Sequence, residues 1–139
     1  MPRGVRPPEV PSITVWSGTL AVPLDQTLLD AIAQRSGLDR SLVEAIVRPD
    51  EAWRKYAACL GVPAELFFPE KADSPSTFSD AAPVCARCRV ATDCLAFAIR
   101  THQKHGFWAG TSENLREQIR SRLREAVVEV SRAARRTVA

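Results

Sequence analysis

Four cysteines constrain this chain more than any other feature. They run Cys59, then 25 residues, then Cys85-x2-Cys88, then five residues, then Cys94, and the 139-residue chain has no others. A C-x2-C step lets two thiolates reach one inorganic centre from a single turn. Cys94 follows Cys88 by about a turn and a half of helix and can close a third corner. Cys59 arrives from another segment and ties it to the same centre. Four thiolates complete a 4Fe–4S cubane, one per iron. Zinc modules more often show two C-x2-C pairs, whereas here there is one pair and two singles. A dithiol redox motif calls for a βαβ setting, and this region reads as helix. Spacing leans towards an iron–sulfur cluster and leaves zinc open.

The compartment bears on that choice. No stretch approaches a transmembrane run. The opening MPRGVRPPEVPS has prolines and basic residues but no apolar core of a secretory signal. A cytosolic location is expected, with no membrane partner, and reduced cytosolic thiols favour ligation over disulfides. A metal centre would also help a chain of this size, whose core is modest.

The periodicity predicts a mainly helical fold. Residues 1–12 read as a disordered arm. Residues 13–22 are β-prone around Ser17-Gly18, a short hairpin in outline, with Trp16 as a packing residue. Residues 25–47 read as two short helices, with Leu28, Leu29 and Ile32 on one and Leu42, Val43, Ile46 and Val47 on the other. Gly37 is placed to end the first and Asp39 to cap the second. Ala33, Gly37 and Val43 fall at helix-turn-helix spacing, but the plain reading is a helical hairpin packed on the core. Residues 51–60 read as a helix capped by Asp50, and 71–83 as a polar loop. A helix runs on from the cysteines across 85–104. Residues 112–135 form the longest helix, with Leu115, Ile119, Leu123, Val127 and Val130 on its apolar stripe and Arg116, Arg120 and Arg124 beside it.

Other motifs surround the cysteines. Trp53 opens WRKYAAC, six residues before Cys59. Pro63-Ala64-Glu65-Leu66-Phe67-Phe68-Pro69 follows that cysteine. Gly106-Phe107-Trp108-Ala109-Gly110 follows the last one, and a basic helix comes next. In this order the motifs resemble the WhiB-like family of bacterial regulators over about residues 50–125. The resemblance implies an all-α fold, a small helical bundle wrapped around one 4Fe–4S cluster held by Cys59, Cys85, Cys88 and Cys94. It implies a cluster that responds to oxygen or nitric oxide, and binding to region 4 of the principal sigma factor of RNA polymerase. Trp53, Phe67, Phe68, Gly106, Trp108 and Gly110 then surround the cluster and the sigma contact. The domains expected are an N-terminal extension over 1–49, the family domain over 50–125 and a basic helix end over 126–139. Ala109 departs from the family, which usually has glycine there. If that position takes positive φ, alanine costs about 1–2 kcal/mol.

Charge is uneven. Residues 1–70 hold 7 Lys and Arg against 9 Asp and Glu, and residues 71–139 hold 12 against 7. Arg116, Arg120, Arg122, Arg124, Arg132, Arg135 and Arg136 are the candidates for promoter DNA phosphates. Glu113, Glu117, Glu125 and Glu129 dilute them, so affinity for DNA alone is expected to be weak and salt-sensitive. Pro2-Arg3-Gly4-Val5-Arg6-Pro7 only approximates a minor-groove hook, and His102 and His105 read as exposed. Two alternatives follow from the same residues. In the cluster-free protein Cys85 and Cys88, their thiols activated by Arg87 and Arg89, would act as a disulfide reductase. A zinc-stapled DNA-binding module is the other.

Overall fold

A computed structural model describes residues 25–70 and 77–138, and the backbone of 13–15 and 18–20. The arm over 1–12, Trp16, the turn at 16–17 and part of the 71–83 loop lie outside the described residues. Two three-residue strands, β1 (Ile13–Val15) and β2 (Gly18–Leu20), pair antiparallel with Ile13 opposite Leu20. Everything else regular is helical, as the periodicity predicts: α1 (Gln26–Ser36), α2 (Arg40–Val47), α3 (Ala82–Ala86), α4 (Ala91–Arg100) and α5 (Glu113–Val138). Among the described residues no helix is long and apolar enough to cross a membrane.

The helix boundaries follow from local chemistry. The Asp25 carboxylate accepts the Leu28 N–H and starts α1. Gly37 stops it at φ 71°, in the left-handed region that glycine enters without penalty. Asp39 caps α2 by accepting the Ser41 N–H. Asp50 caps Glu51–Tyr56, which winds as a 3-10 helix and ends short of residue 60. The helix expected across 85–104 is instead two, because the chain breaks between α3 and α4 around Cys88.

The main core joins α1 and α2 to α4 and α5. Leu29, Ile32, Leu42, Val43 and Ile46 pack with Ala96, Ile99, Ile119, Leu123, Ala126, Val127 and Val130. The helical hairpin therefore shares its core with the helices that follow the cysteines, and the helix-turn-helix spacing of Ala33, Gly37 and Val43 is a consequence of that packing. A second, smaller core gathers Phe67, Ala81 and Val84 with Phe78 and Phe107 under the cysteines. The two aromatic rings stack at 4.6 Å.

The buried face of α5 differs by one position from the expected stripe. Leu115 is 43% exposed and Arg116 is fully buried. Burial at 116, 119, 120, 123, 126, 127 and 130 is a regular helical stripe. Arg116 holds its first place because backbone carbonyls meet its guanidinium there.

Leu29 lies at the junction of the N-terminal hairpin and the rest. Leu29→Ala is expected to cost about 2–5 kcal/mol. Urea unfolding of the reduced, metal-free protein checks this. Trp fluorescence from the cysteine region and far-ultraviolet dichroism should shift together, since α4 packs in the main core and also carries Phe97 against Trp53 and Trp108.

Candidate metal centre

Three stretches of chain bring the cysteines together. Cys59 sits in the exposed turn after the 3-10 helix, Cys85 in α3, Cys88 in the break, and Cys94 in the first turn of α4. Pro83 lies in the first turn of α3, where its missing N–H is not needed. The N–H of Ala58 donates to Cys88 Sγ at 3.5 Å, fastening the Cys59 turn to the C-x2-C segment. All four cysteines line one cavity of about 250 Å³. All are free thiols. Among the described residues no three His, Cys, Asp or Glu converge as a single metal ion requires.

The cavity wall is apolar and aromatic, with Trp53, Val62, Phe67, Phe68, Val84, Phe107 and Trp108 on it. Trp53 packs on Phe97, Phe97 on Trp108 and Trp108 edge-on to Phe68, each pair with centroids 5.8 Å apart. Trp53 and Phe67 are buried, so they support the wall from within; Phe68 is 50% exposed. Tyr56 and Leu60, flanking Cys59, are exposed as well. Arg54 lies over Phe97 at 4.4 Å, and Arg89 over Tyr56 at 4.5 Å. Phe97 was not among the expected site residues. Its only sequence signal is a place on the inner face of α4, three residues after Cys94.

The turn after α4 closes the cavity. Phe107 N–H donates to Phe67 O at 2.8 Å, and Trp108 pairs with Thr111 through both backbone bonds. The Trp108 indole N–H donates to His105 O at 2.9 Å. Ala109 has φ 50° and Gly110 φ 76°, so the strain anticipated for Ala109 is present. The turn lies against the thiols: Trp108 and Ala109 line the cavity with the four cysteines, and a Cβ on Gly110 would lie 3.9 Å from Cys85 Cβ. A Cβ on Gly106, which has φ 90°, would lie 2.7 Å from Phe68 Cδ1, inside the ring's contact distance.

Without a bound centre the Cys85 and Cys94 thiols are not activated. Burial pushes Cys94 up to about 12, with Cys85, Cys59 and Cys88 adding to the rise and the Ala109 N–H opposing it. Burial also raises Cys85. Arg89, expected to activate the pair, is engaged with the Tyr56 ring instead.

The arginines of α5 divide into two groups. Arg116 was expected at DNA phosphates, but it is fully buried and bonded to the turn, out of reach of a phosphate. Arg120 is 6% exposed, its Nη1 bonded to Glu117 at 2.7 Å and its Nε and Nη2 buried without a hydrogen-bond partner. Helix periodicity explains both corrections, since positions 116 and 120 face the core. Arg122, Arg124, Arg132 and Arg136 are exposed; the Arg135 side chain lies outside the described residues.

The family model for transcription factor WhiB matches residues 53–119. The transcriptional regulator WhiB1 of Mycobacterium tuberculosis (strain ATCC 25618 / H37Rv) is 42% identical over 72 residues, 50% of this chain and 86% of that protein. WhiB2 of Bifidobacterium longum (strain NCC 2705) is 39% identical over 82 residues, 58% of this chain and 80% of that one. WhiD of Streptomyces coelicolor (strain ATCC BAA-471 / A3(2) / M145) is 34% identical over 86 residues, with 59% and 77% covered. This chain belongs to the WhiB family of transcriptional regulators. The WhiB match runs from Trp53 to Ile119 and takes in the four cysteines, the aromatic wall, the closing turn and Arg116. Helices α1 and α2 and most of α5 lie outside it, although they share one core with the matched α4.

Two substitutions in the closing turn are expected to act in opposite directions. Ala109→Gly relieves positive-φ strain and should stabilise the protein by about 1 kcal/mol. Gly106→Ala should destabilise it by more than that, because strain is joined by overlap with Phe68. Thermal melts of the metal-free, reduced variants measure both.

Proposed function

We propose that this WhiB-family chain is a cytoplasmic redox- and nitric-oxide-responsive transcriptional regulator that holds one 4Fe–4S cluster on Cys59, Cys85, Cys88 and Cys94. The observation that carries the reading is the single aromatic-walled cavity lined by all four thiols. The donor set is all sulfur, the ligand chemistry of such clusters. A backbone N–H, that of Ala58, already donates to Cys88 Sγ at 3.5 Å. The raised Cys85 and Cys94 thiols speak against a disulfide reductase, which needs thiolates near neutral pH.

When bound, the cluster supplies a centre that oxygen or nitric oxide can attack. The protein's own residues do the rest. The cysteines fasten the Cys59 turn, α3 and α4 to one another. Trp53, Phe67, Phe97 and Trp108 exclude water from the sulfurs. Trp108 and Phe68, held on Gly106 and Gly110, present an aromatic edge outward, and Phe68 with Tyr56 and Leu60 makes an exposed apolar rim beside Cys59. Such a rim suits an anchor-in-pocket contact, and we assign it to region 4 of the principal sigma factor. Loss of the cluster would release the three segments and disperse the rim, coupling the chemical signal to the partner. Arg122, Arg124, Arg132 and Arg136 remain to meet promoter phosphates, with the sigma factor supplying most of the sequence specificity.

Protein purified without oxygen should be brown and carry about four irons and four sulfides per chain. Cys88→Ser should lose both colour and sigma-factor capture in a pull-down. A colourless protein with one zinc, or a Cys88→Ser variant that keeps its cluster and its partner, would end this reading. If Arg132 and Arg136 each meet one phosphate in the sigma–promoter complex, changing either to Ala should lower the salt dependence of binding by about 0.9 in log–log slope. Arg116→Lys should leave that slope unchanged, which a salt titration reads directly.

A further inference from the structure

Arg116 is fully buried, and the hydrogen bonds it makes among the described residues run to the closing turn and the chain leading into it. Its Nε donates to Gln103 O at 3.2 Å and its Nη2 to Gly106 O at 2.9 Å. Its Nη1 donates to Thr111 O at 2.6 Å and to Thr111 Oγ1 at 3.3 Å. The guanidinium therefore grips the turn at both ends, residue 106 and residue 111, from a rigid helix. Between those ends stand Ala109 and Gly110, both at positive φ; Ala109 lines the cysteine cavity, and a Cβ on Gly110 would lie 3.9 Å from Cys85 Cβ. Alanine does not adopt φ 50° unless its surroundings over-determine it, and the grip at both ends supplies that constraint. No carboxylate hydrogen-bonds this buried cation, and Arg120 beside it adds like charge. Glu113 and Cys94 are the opposing anionic groups within electrostatic reach. An unpaired buried charge is costly, so its place beside thiolate ligands needs a reason.

We propose that Arg116 is a positioning residue of the cysteine site. Its guanidinium fixes the 106–111 turn in the conformation that seats Ala109 and Gly110 against the cysteine cavity, and it sets a permanent positive charge beside the ligands. The second half rests on the cluster reading; the first half does not. Four thiolates around a cubane leave a net negative charge. A fixed cation stabilises the more reduced cluster and raises its potential. Arginine does both jobs because its planar fork reaches several carbonyls and it stays charged. Lysine keeps the charge but cannot span Gln103, Gly106 and Thr111 together.

The test separates the two halves with Arg116→Lys and Arg116→Gln in the full-length chain. Amide hydrogen exchange in the reduced, metal-free protein reads the grip. Both variants should exchange at least tenfold faster at Ala109 and Gly110, while amides at Leu123–Val130 keep wild-type protection. Redox titration of anaerobically prepared protein reads the charge. Arg116→Gln should titrate at a lower potential than wild type and lose its visible absorbance faster in air, with Arg116→Lys close to wild type on both. Wild-type exchange at Ala109 and Gly110 in both variants would overturn the positioning role. An unchanged potential in a cluster-bearing Arg116→Gln would overturn the electrostatic one. If Arg116→Gln does not fold, Arg116→Lys decides the grip: fast turn exchange on an intact helix supports it, and wild-type exchange overturns it. A wild-type protein that carries no cluster fails the functional reading instead, and the exchange experiment still stands.

Discussion

The structure depends on bringing four thiols from three separate stretches of chain to one cavity. Thiols that close on one another would invite a disulfide, and thiols that diverge would have no common ligand. The chain meets the condition with rigid pieces. Cys85 stands on α3 and Cys94 on the first turn of α4, so the helix axes set their positions. Cys88 lies in the break and Cys59 in a turn, and a single amide-to-sulfur bond from Ala58 to Cys88 joins the two less regular members. The closing turn then lines the cavity with Trp108 and Ala109. Its geometry requires glycine at 106 for the Phe68 ring and left-handed backbone at 109 and 110.

Stability and function are divided between the two cores. The larger one, built by α1, α2, α4 and α5, holds the long helix against α4 without using a cysteine. The smaller one, Phe67, Ala81 and Val84 with Phe78 and Phe107, lies under the thiols and is stitched by Phe107 N–H to Phe67 O. A core this small gains most from a bound centre, because ligands on α3, α4 and the Cys59 turn would clamp the very segments it packs weakly. Helix α4 belongs to both regions, through Ala96 and Ile99 on one side and Cys94 and Phe97 on the other. The family match covers the smaller core and the site, and the N-terminal hairpin completes the larger one.

Much of this was legible in the residues. Gly37, Asp39 and Asp50 act as the cap chemistry predicts, and Ala109 takes the positive φ that the family's usual glycine at that position raised as a condition. Such features depend on one or two neighbouring residues, so sequence carries them well. The break between α3 and α4 was not legible, because apolar periodicity continues across Cys88 without interruption. Nor was the burial of Arg116 in place of Leu115. Periodicity assigns faces by apolarity, and an arginine is assigned to solvent unless distant carbonyls are known to converge on it. The carbonyls of Gln103, Gly106 and Thr111 converge only once the turn has folded back on α5. Phe97 was missed for a related reason: its partners Trp53 and Trp108 come from segments 44 residues before and 11 after it in the chain.

The buried arginines change how the basic helix should be understood. A stripe of arginine on the longest helix reads as a phosphate-binding face when charge alone is counted. In the folded chain the first two members of that stripe are buried, Arg116 bonded to the closing turn and Arg120 to Glu117, and the exposed cations begin at Arg122. One helix therefore holds the closing turn with a buried arginine at its N-terminal end and presents exposed arginines along its outer, C-terminal part. Both ends belong to one rigid element packed on α1 and α4. Displacement of the closing turn would alter what Arg116 holds, and with it the seating of the helix that carries the exposed arginines. That is a physical route by which a change at the cysteine cavity can reach the exposed arginines without a hinge between them.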